Sequence, residues 1–204
     1  MPLIRSSNRV IEDPDKPIAE MDADALQADL QSDDAAVRRA AVLRARRCGA
    51  TVLLAGRLEV ENDRDIREMI LTTLVRNGGL AAARPLVNLL RSDDADLRNA
   101  VLETLQGMSE AITPLIEDLL TDPDTDVRIF AVNILQSLKS PTVPDLALKV
   151  ILTDPHVNVC AAAVDVLAEV GRPEMAGALR DVAARFPDQP FLAFAVRTAL
   201  KRIG

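Results

Sequence analysis

Tryptophan and tyrosine are absent from this 204-residue chain, and phenylalanine occurs only four times. Strands favour aromatic and β-branched residues. Here the apolar 49% is carried by Leu, Ala, Val and Ile, a mixture that suits helices. The missing rings also remove the platforms on which nucleic-acid bases stack, and a formal net charge of −7 removes an overall cationic field. Nucleic acid is therefore not an expected partner. A single histidine, His156, excludes chemistry built on several histidines. Two cysteines, Cys48 and Cys160, make no disulfide pattern. No apolar run is long enough to span a bilayer, so membrane insertion is not expected. The opening MPLIRSSNRVIEDPDKP lacks the apolar stretch of a secretory signal, which leads to an expected cytoplasmic location.

What the chain does have is self-similarity. Segments such as DAAVRRAAVLRARRCG, DADLRNAVLETLQGM and DTDVRIFAVNILQSL align on a first apolar residue: Val37, Ile66, Leu97, Val127, Val159 and Leu192. These anchors lie 29, 31, 30, 32 and 33 residues apart. Around each, apolar positions recur at 0, +3, +4, +7, +8 and +11, one face of an α-helix. A preceding helix carries an apolar pair eleven and seven residues before the anchor: Leu26 and Leu30, Leu86 and Leu90, Ile116 and Leu120, Leu148 and Leu152. The second unit, TVLLAGRLEVEND, is out of register. Acidic turns join the two helices. Asp34, Asp63, Asp94 and Asp124, three residues before their anchors, are placed to cap the second helix. Gly49, Gly78, Gly171 and Gly204 mark second-helix ends. The expectation is all-α: six antiparallel helix pairs over residues 22–204, stacked into one αα-superhelix because no pair buries its stripe alone. Residues 1–21 carry no helical stripe and are broken by Pro14 and Pro17. They read as a frayed tail, a strap over the first repeat, or a peptide offered to a partner.

The pattern D-x-x-V-R, as in Asp34–Val37–Arg38 and Asp124–Val127–Arg128, resembles the short HEAT repeat of the phycobilisome-lyase-like class. Pro85, Pro114 and Pro144 in the first helices are also similar to HEAT units. The resemblance implies a solenoid and, as one possible activity, bilin handling. HEAT-like deoxyhypusine hydroxylases hold two irons on His-Glu motifs, and this chain has no His-Glu pair. HEAT-like DNA glycosylases are strongly basic, unlike this chain. The repeat itself is a general frame and fixes no function.

The arginine column Arg38, Arg67, Arg98 and Arg128 recurs beside Asp65, Asp96 and Asp126. It reads as a ladder stapling adjacent repeats, with partly exposed rungs worth about 1 kcal/mol or less each. The column ends at Cys160 and Ala193, and the Asp column ends at His156 and Gln189. His156 and Cys160, four apart, have too few neighbouring ligands for a zinc site. The expectation is a helix-start residue and a packing residue. Cys48, in a core column, is expected to be a buried thiol. The basic run Arg38, Arg39, Arg44, Arg46 and Arg47 reads as a solvated or partner-facing surface.

No catalytic motif appears, and neither a cofactor nor a metal is expected. The principal reading is a non-enzymatic scaffold that binds a protein partner on the concave face of its second helices, as a monomer or weak dimer. The columns two and six residues after each anchor lie off the apolar stripe. They nominate Arg39, Glu68, Thr72, Asn99, Glu103, Ile129, Asn133, Asp165 and Phe194 as partner-binding residues. The alternative is a bilin lyase-like or cofactor-assembly accessory protein, with Arg39 and Arg46 available for propionates.

Overall fold

A computed structural model describes residues 23–204. The segment 1–21, expected as a tail, lies outside the described residues. The chain is all-α, with no strand among the described residues. In order the helices are α1 (Ala23–Leu30), α2 (Ala35–Cys48), α3 (Thr51–Val60), α4 (Arg64–Asn77), α5 (Leu80–Asn88), α6 (Ala95–Gly107), α7 (Ser109–Ile112), α8 (Ile116–Leu120), α9 (Thr125–Ser137), α10 (Val143–Thr153), α11 (Val157–Val170), α12 (Ala176–Arg185) and α13 (Pro190–Ile203). They divide into two compact units, Met1–Asn77 and Gly78–Gly204. The first holds the pairs α1/α2 and α3/α4. The second holds α5/α6, α7–α8/α9, α10/α11 and α12/α13. The expected six pairs are therefore present, and the second helix of each carries the 3.6-residue stripe.

Proline position explains the shape of the first helices. Pro114 falls in a 3₁₀ turn that separates α7 from α8, where its missing N–H and its ring disfavour a continuous α-helix. Pro144 sits in the first turn of α10, where its missing N–H costs nothing. Pro85 lies inside α5, which ends three residues later and passes into a 3₁₀ turn, Leu89–Arg91. Gly49 closes α2 in the left-handed region at φ 69°, with its N–H on Ala45 O.

Burial follows the stripe in outline, but its +3 column, Ala40, Met69, Ala100, Phe130, Ala162 and Ala195, and the first anchor, Val37, are only half-buried, and α10 and Cys48 differ further. In α9, Val127, Ala131, Ile134 and Leu135 are all 0% exposed, and the equivalents Leu97, Val101 and Leu105 in α6 are buried as well. In α10 the pair expected inside is not: Leu148 is half-buried and Leu152 is 53% exposed, while Ala147, Val150 and Ile151 are buried. The out-of-register second pair shows the same phase, with Leu54 and Leu58 buried twelve and eight residues before the anchor. The cause is how each first helix ends. In pairs one, three and four the last turn tightens: Ser32 N–H bonds Asp29 O, Ser92 N–H bonds Leu89 O, and Asp122 N–H bonds Leu119 O. In pair five the α pattern continues to Asp154, whose N–H bonds Val150 O at 2.9 Å. A tightened turn advances the chain by a different angle per residue, so the buried stripe shifts. Cys48 also departs from expectation. It is half-buried at the end of α2, its thiol donating to Ala45 O, because the core stripe of that helix ends at Ala45.

Candidate partner-binding surface

The junction between helices is built the same way five times, and it fixes which residues remain free on the second helices. The residue five before the anchor accepts, on its side chain, the N–H of the residue three before. The pairs are Ser32 with Asp34, Glu61 with Asp63, Ser92 with Asp94, Asp122 with Asp124 and Asp154 with His156, at 2.8–3.2 Å. The residue three before then caps the helix. Asp34 accepts from Ala36 N–H, Asp63 from Asp65 and Ile66, Asp94 from Asp96 and Leu97, Asp124 from Asp126. His156 takes the same place, its Nδ1 accepting from Asn158 N–H at 3.3 Å. These caps satisfy N–H groups that have no intrahelical partner.

The arginine column closes each junction from above. Arg38 Nη1 donates to Ser32 O at 2.9 Å, Arg67 Nε to Glu61 O, Arg98 Nη1 to Ser92 O at 2.7 Å and Arg128 Nη1 to Asp122 O at 2.9 Å. In the fifth junction Cys160 Sγ lies 3.4 Å from Asp154 O, and Arg185 from α12 supplies the guanidinium, its Nη2 2.9 Å from the same oxygen and 3.0 Å from the sulfur. Burial pushes the Cys160 thiol up, against the nearby Arg185 charge.

Two column arginines also reach an acid in the next pair, and both pairs are sequestered. Arg38 holds Glu61 through Nε at 2.8 Å and Nη2 at 3.0 Å, and Arg57 adds a third bond at 2.9 Å. Arg128 holds Asp154 through Nε at 2.7 Å and Nη2 at 3.3 Å. The Glu61 and Asp154 side chains are 0% and 5% exposed. Burial works to raise the Glu61 carboxyl, but the bonds from Arg38, Arg57 and the Asp63 N–H outweigh it and hold it at about 2. Asp65, Asp96 and Asp126 are not the ladder partners: all three are exposed because they precede the anchor on the solvent side. Asp65 lies 3.7 Å from Arg39, and among the described residues no ion pair runs to Asp96 or Asp126. Arg98 instead stacks over the Phe130 ring at 5.8 Å. The sequence carried a signal for this arrangement, the polar column Ser32, Glu61, Ser92, Asp122 and Asp154 at constant distance from the anchors.

With the junction residues committed to the frame, the columns at +2 and +6 are left on the surface. In the Gly78–Gly204 unit, α6 packs on α9, α9 on α11 and α11 on α13. Asn99 and Glu103 on α6 are exposed, Ile129 and Asn133 on α9 are half-buried, and Asp165 on α11 and Phe194 on α13 are exposed. Gln106 of α6 donates to Asn133 O at 3.1 Å, tying α6 to α9 beside these columns. Burial, then Glu169, raise the Asp165 carboxyl, with Arg202 of α13 opposing. In the Met1–Asn77 unit, α2 packs on α4, and Arg39, Glu68 and Thr72 are exposed. The neighbouring Arg44 pairs with Asp29 on α1, while Arg46 and Arg47 are exposed.

Among the described residues, no helix is long and apolar enough to cross a membrane. Residues 112–201 match the family model described as HEAT repeats. Comparison with curated proteins finds no sequence match. Among solved structures, an archaeal HEAT-like repeats protein from Thermococcus onnurineus NA1 is similar at TM-score 0.50 and 16% identity, covering 87% of this chain and 85% of that one. The complex of CpcE and CpcF of phycocyanin lyase from Nostoc sp. PCC7120 aligns at TM-score 0.35 and 18% identity, covering 91% and 96%. A designed armadillo repeat protein aligns at TM-score 0.40 and 18% identity, covering 88% and 99%. Residues 112–201 thus match HEAT repeats by sequence, and the chain is similar in fold to a HEAT-like repeat protein over most of its length.

Proposed function

We propose that this chain is a non-enzymatic scaffold that holds a protein partner along its second helices. The observation that carries the reading is the division of labour among polar side chains. Arg38, Arg128, Glu61 and Asp154 are spent inside the frame, while Asn99, Glu103, Ile129, Asn133, Asp165 and Phe194 form the side-by-side surface of α6, α9, α11 and α13. A rigid, stacked frame with variable off-core columns is how solenoids present extended binding surfaces. The strongly depressed carboxyl, Glu61, is held by arginines and serves structure.

The test is affinity capture from native extract with the chain and with the double variant Ile129→Asp/Asn133→Arg. An unpaired charge at the centre of an interface is costly, whereas half-exposed columns carry little folding energy. The expected result is loss of the captured partner with little change in melting temperature. Unchanged capture by a folded double variant would overturn the assignment of this surface. Bilins added to the pure protein are expected to leave its absorbance unchanged; a shifted spectrum would replace the scaffold with a bilin-handling accessory protein.

A further inference from the structure

The second helix α13 differs from α9 and α11 in a column that those helices bury. In α9 and α11 the residue five after the anchor is Val132 or Val164, each 0% exposed against the packed helices. In α13 that column holds Arg197, which is exposed, with its guanidinium 5.9 Å from the Phe194 ring. Lys201 and Arg202 follow one turn on, and the 14 residues of α13 include no acid. Phe194 is 65% exposed and Phe191 is 46% exposed. At 100° per residue, Phe191, Phe194, Arg197, Lys201 and Arg202 share one arc, running from aromatic to basic over about 16 Å. This local excess of positive charge stands on a chain of net charge −7.

The acids around this face leave it unneutralised. Asp165 on α11 interacts with Arg202 and is itself crowded by Glu169. Among the described residues, Arg197 and Lys201 have no ion pair. A second copy of the chain does not suit the face, since two like-charged faces repel and no apolar residue stands in the Val132/Val164 column. A bilayer suits it less well than a peptide. Membrane-surface helices separate apolar and basic residues around the axis, so that they sit at different depths. Here they are separated along the axis. We infer that the exposed face of α13 docks an acidic protein segment whose apolar side chains seat on Phe191 and Phe194 and whose carboxylates pair with Arg197 and Lys201. This names the partner class for the scaffold proposed above and rests on that reading.

The probe is a short fluorescein-labelled peptide repeating Leu-Glu-Glu, with a Leu-Lys-Lys peptide as control, followed by fluorescence anisotropy on the whole chain. The acidic peptide is expected to bind saturably and to weaken steeply as salt rises. The control is expected not to bind. Arg197→Glu with Lys201→Glu should weaken binding by about tenfold or more, and Phe194→Ser by roughly fivefold. Should the charge reversal unfold the chain by circular dichroism, Arg197→Gln with Lys201→Gln reads the same contacts. No binding by the acidic peptide, or binding indifferent to these variants, overturns the inference. Cosedimentation with phosphatidylserine vesicles that the charge reversal abolishes, without peptide binding, would assign the face to a membrane instead. If the peptide fails while Ile129→Asp/Asn133→Arg still abolishes capture, the scaffold reading survives and this one falls. Peptide binding with strip-independent capture keeps the α13 site and overturns the strip.

Discussion

Arg128 Nε lies 2.7 Å from Asp154 Oδ2 across the interface of two consecutive helix pairs, with the carboxylate almost fully enclosed. The arginine simultaneously closes its own junction at Asp122 O, 2.9 Å away. One side chain thus fixes the turn within a repeat and the stacking onto the next. Arg38 does the same with Ser32 O and Glu61 in the other unit.

Arg128→Ala is expected to destabilise the chain by about 3 kcal/mol or more, because it leaves a buried carboxylate without its cation. Arg98→Ala removes a carbonyl bond and a ring contact only, and is expected to cost about 0.5–2 kcal/mol. Urea unfolding of the two variants checks the order. Equal losses would mean that the Asp154 contact adds nothing to the column.

Acid should expose the Glu61 contribution. Its carboxyl sits at about 2 in the folded chain against an ordinary 4.5, so it contributes stability above the ordinary value. That contribution is lost as pH falls from about 4.5 toward 2. Glu61→Gln should therefore melt well below the parent at neutral pH, and the gap should narrow through this window. A gap independent of pH would show that the ionised form is not favoured by folding.

His156 occupies a cap position that Asp fills in four other repeats, and its Nδ1 contact is long at 3.3 Å. His156→Asp is expected to raise stability by about 0.5–1 kcal/mol, and Asp124→Ala to lower it by about 1 kcal/mol. Thermal melts of both variants measure the pair.

Gly171 ends α11 at ordinary negative φ, so backbone freedom is not why it is glycine. An added Cβ would lie 2.3 Å from Leu167 O and 3.1 Å from Ile203 Cγ2. Gly171→Ala is expected to cost about 1–3 kcal/mol by overpacking, seen as a lower urea midpoint. A neutral result would mean that α11 and α13 separate easily at this end.

The helix pairs, their second-helix stripes and the Asp caps were legible in the sequence. Each is a local consequence of spacing: a 3.6-residue period selects a face, and a short acceptor three residues before the first apolar residue meets free N–H groups. The off-core placement of Asn99, Glu103, Asp165 and Phe194 was legible for the same reason. The partners of the arginine column were not. Asp65, Asp96 and Asp126 are nearest in sequence, yet the guanidinium groups turn to the junction carbonyls and to Glu61 and Asp154. Which acid is enclosed depends on how the next pair is stacked, and Arg185 replaces a missing column arginine from α12. The phase of α10, which exposes Leu152 and buries Ile151, likewise follows from the way that helix enters its junction. Periodicity determined which residues form helices and which face they bury. Only the tertiary structure decided which charges leave water, because Arg38 and Arg128 enclose Glu61 and Asp154 from the preceding repeat.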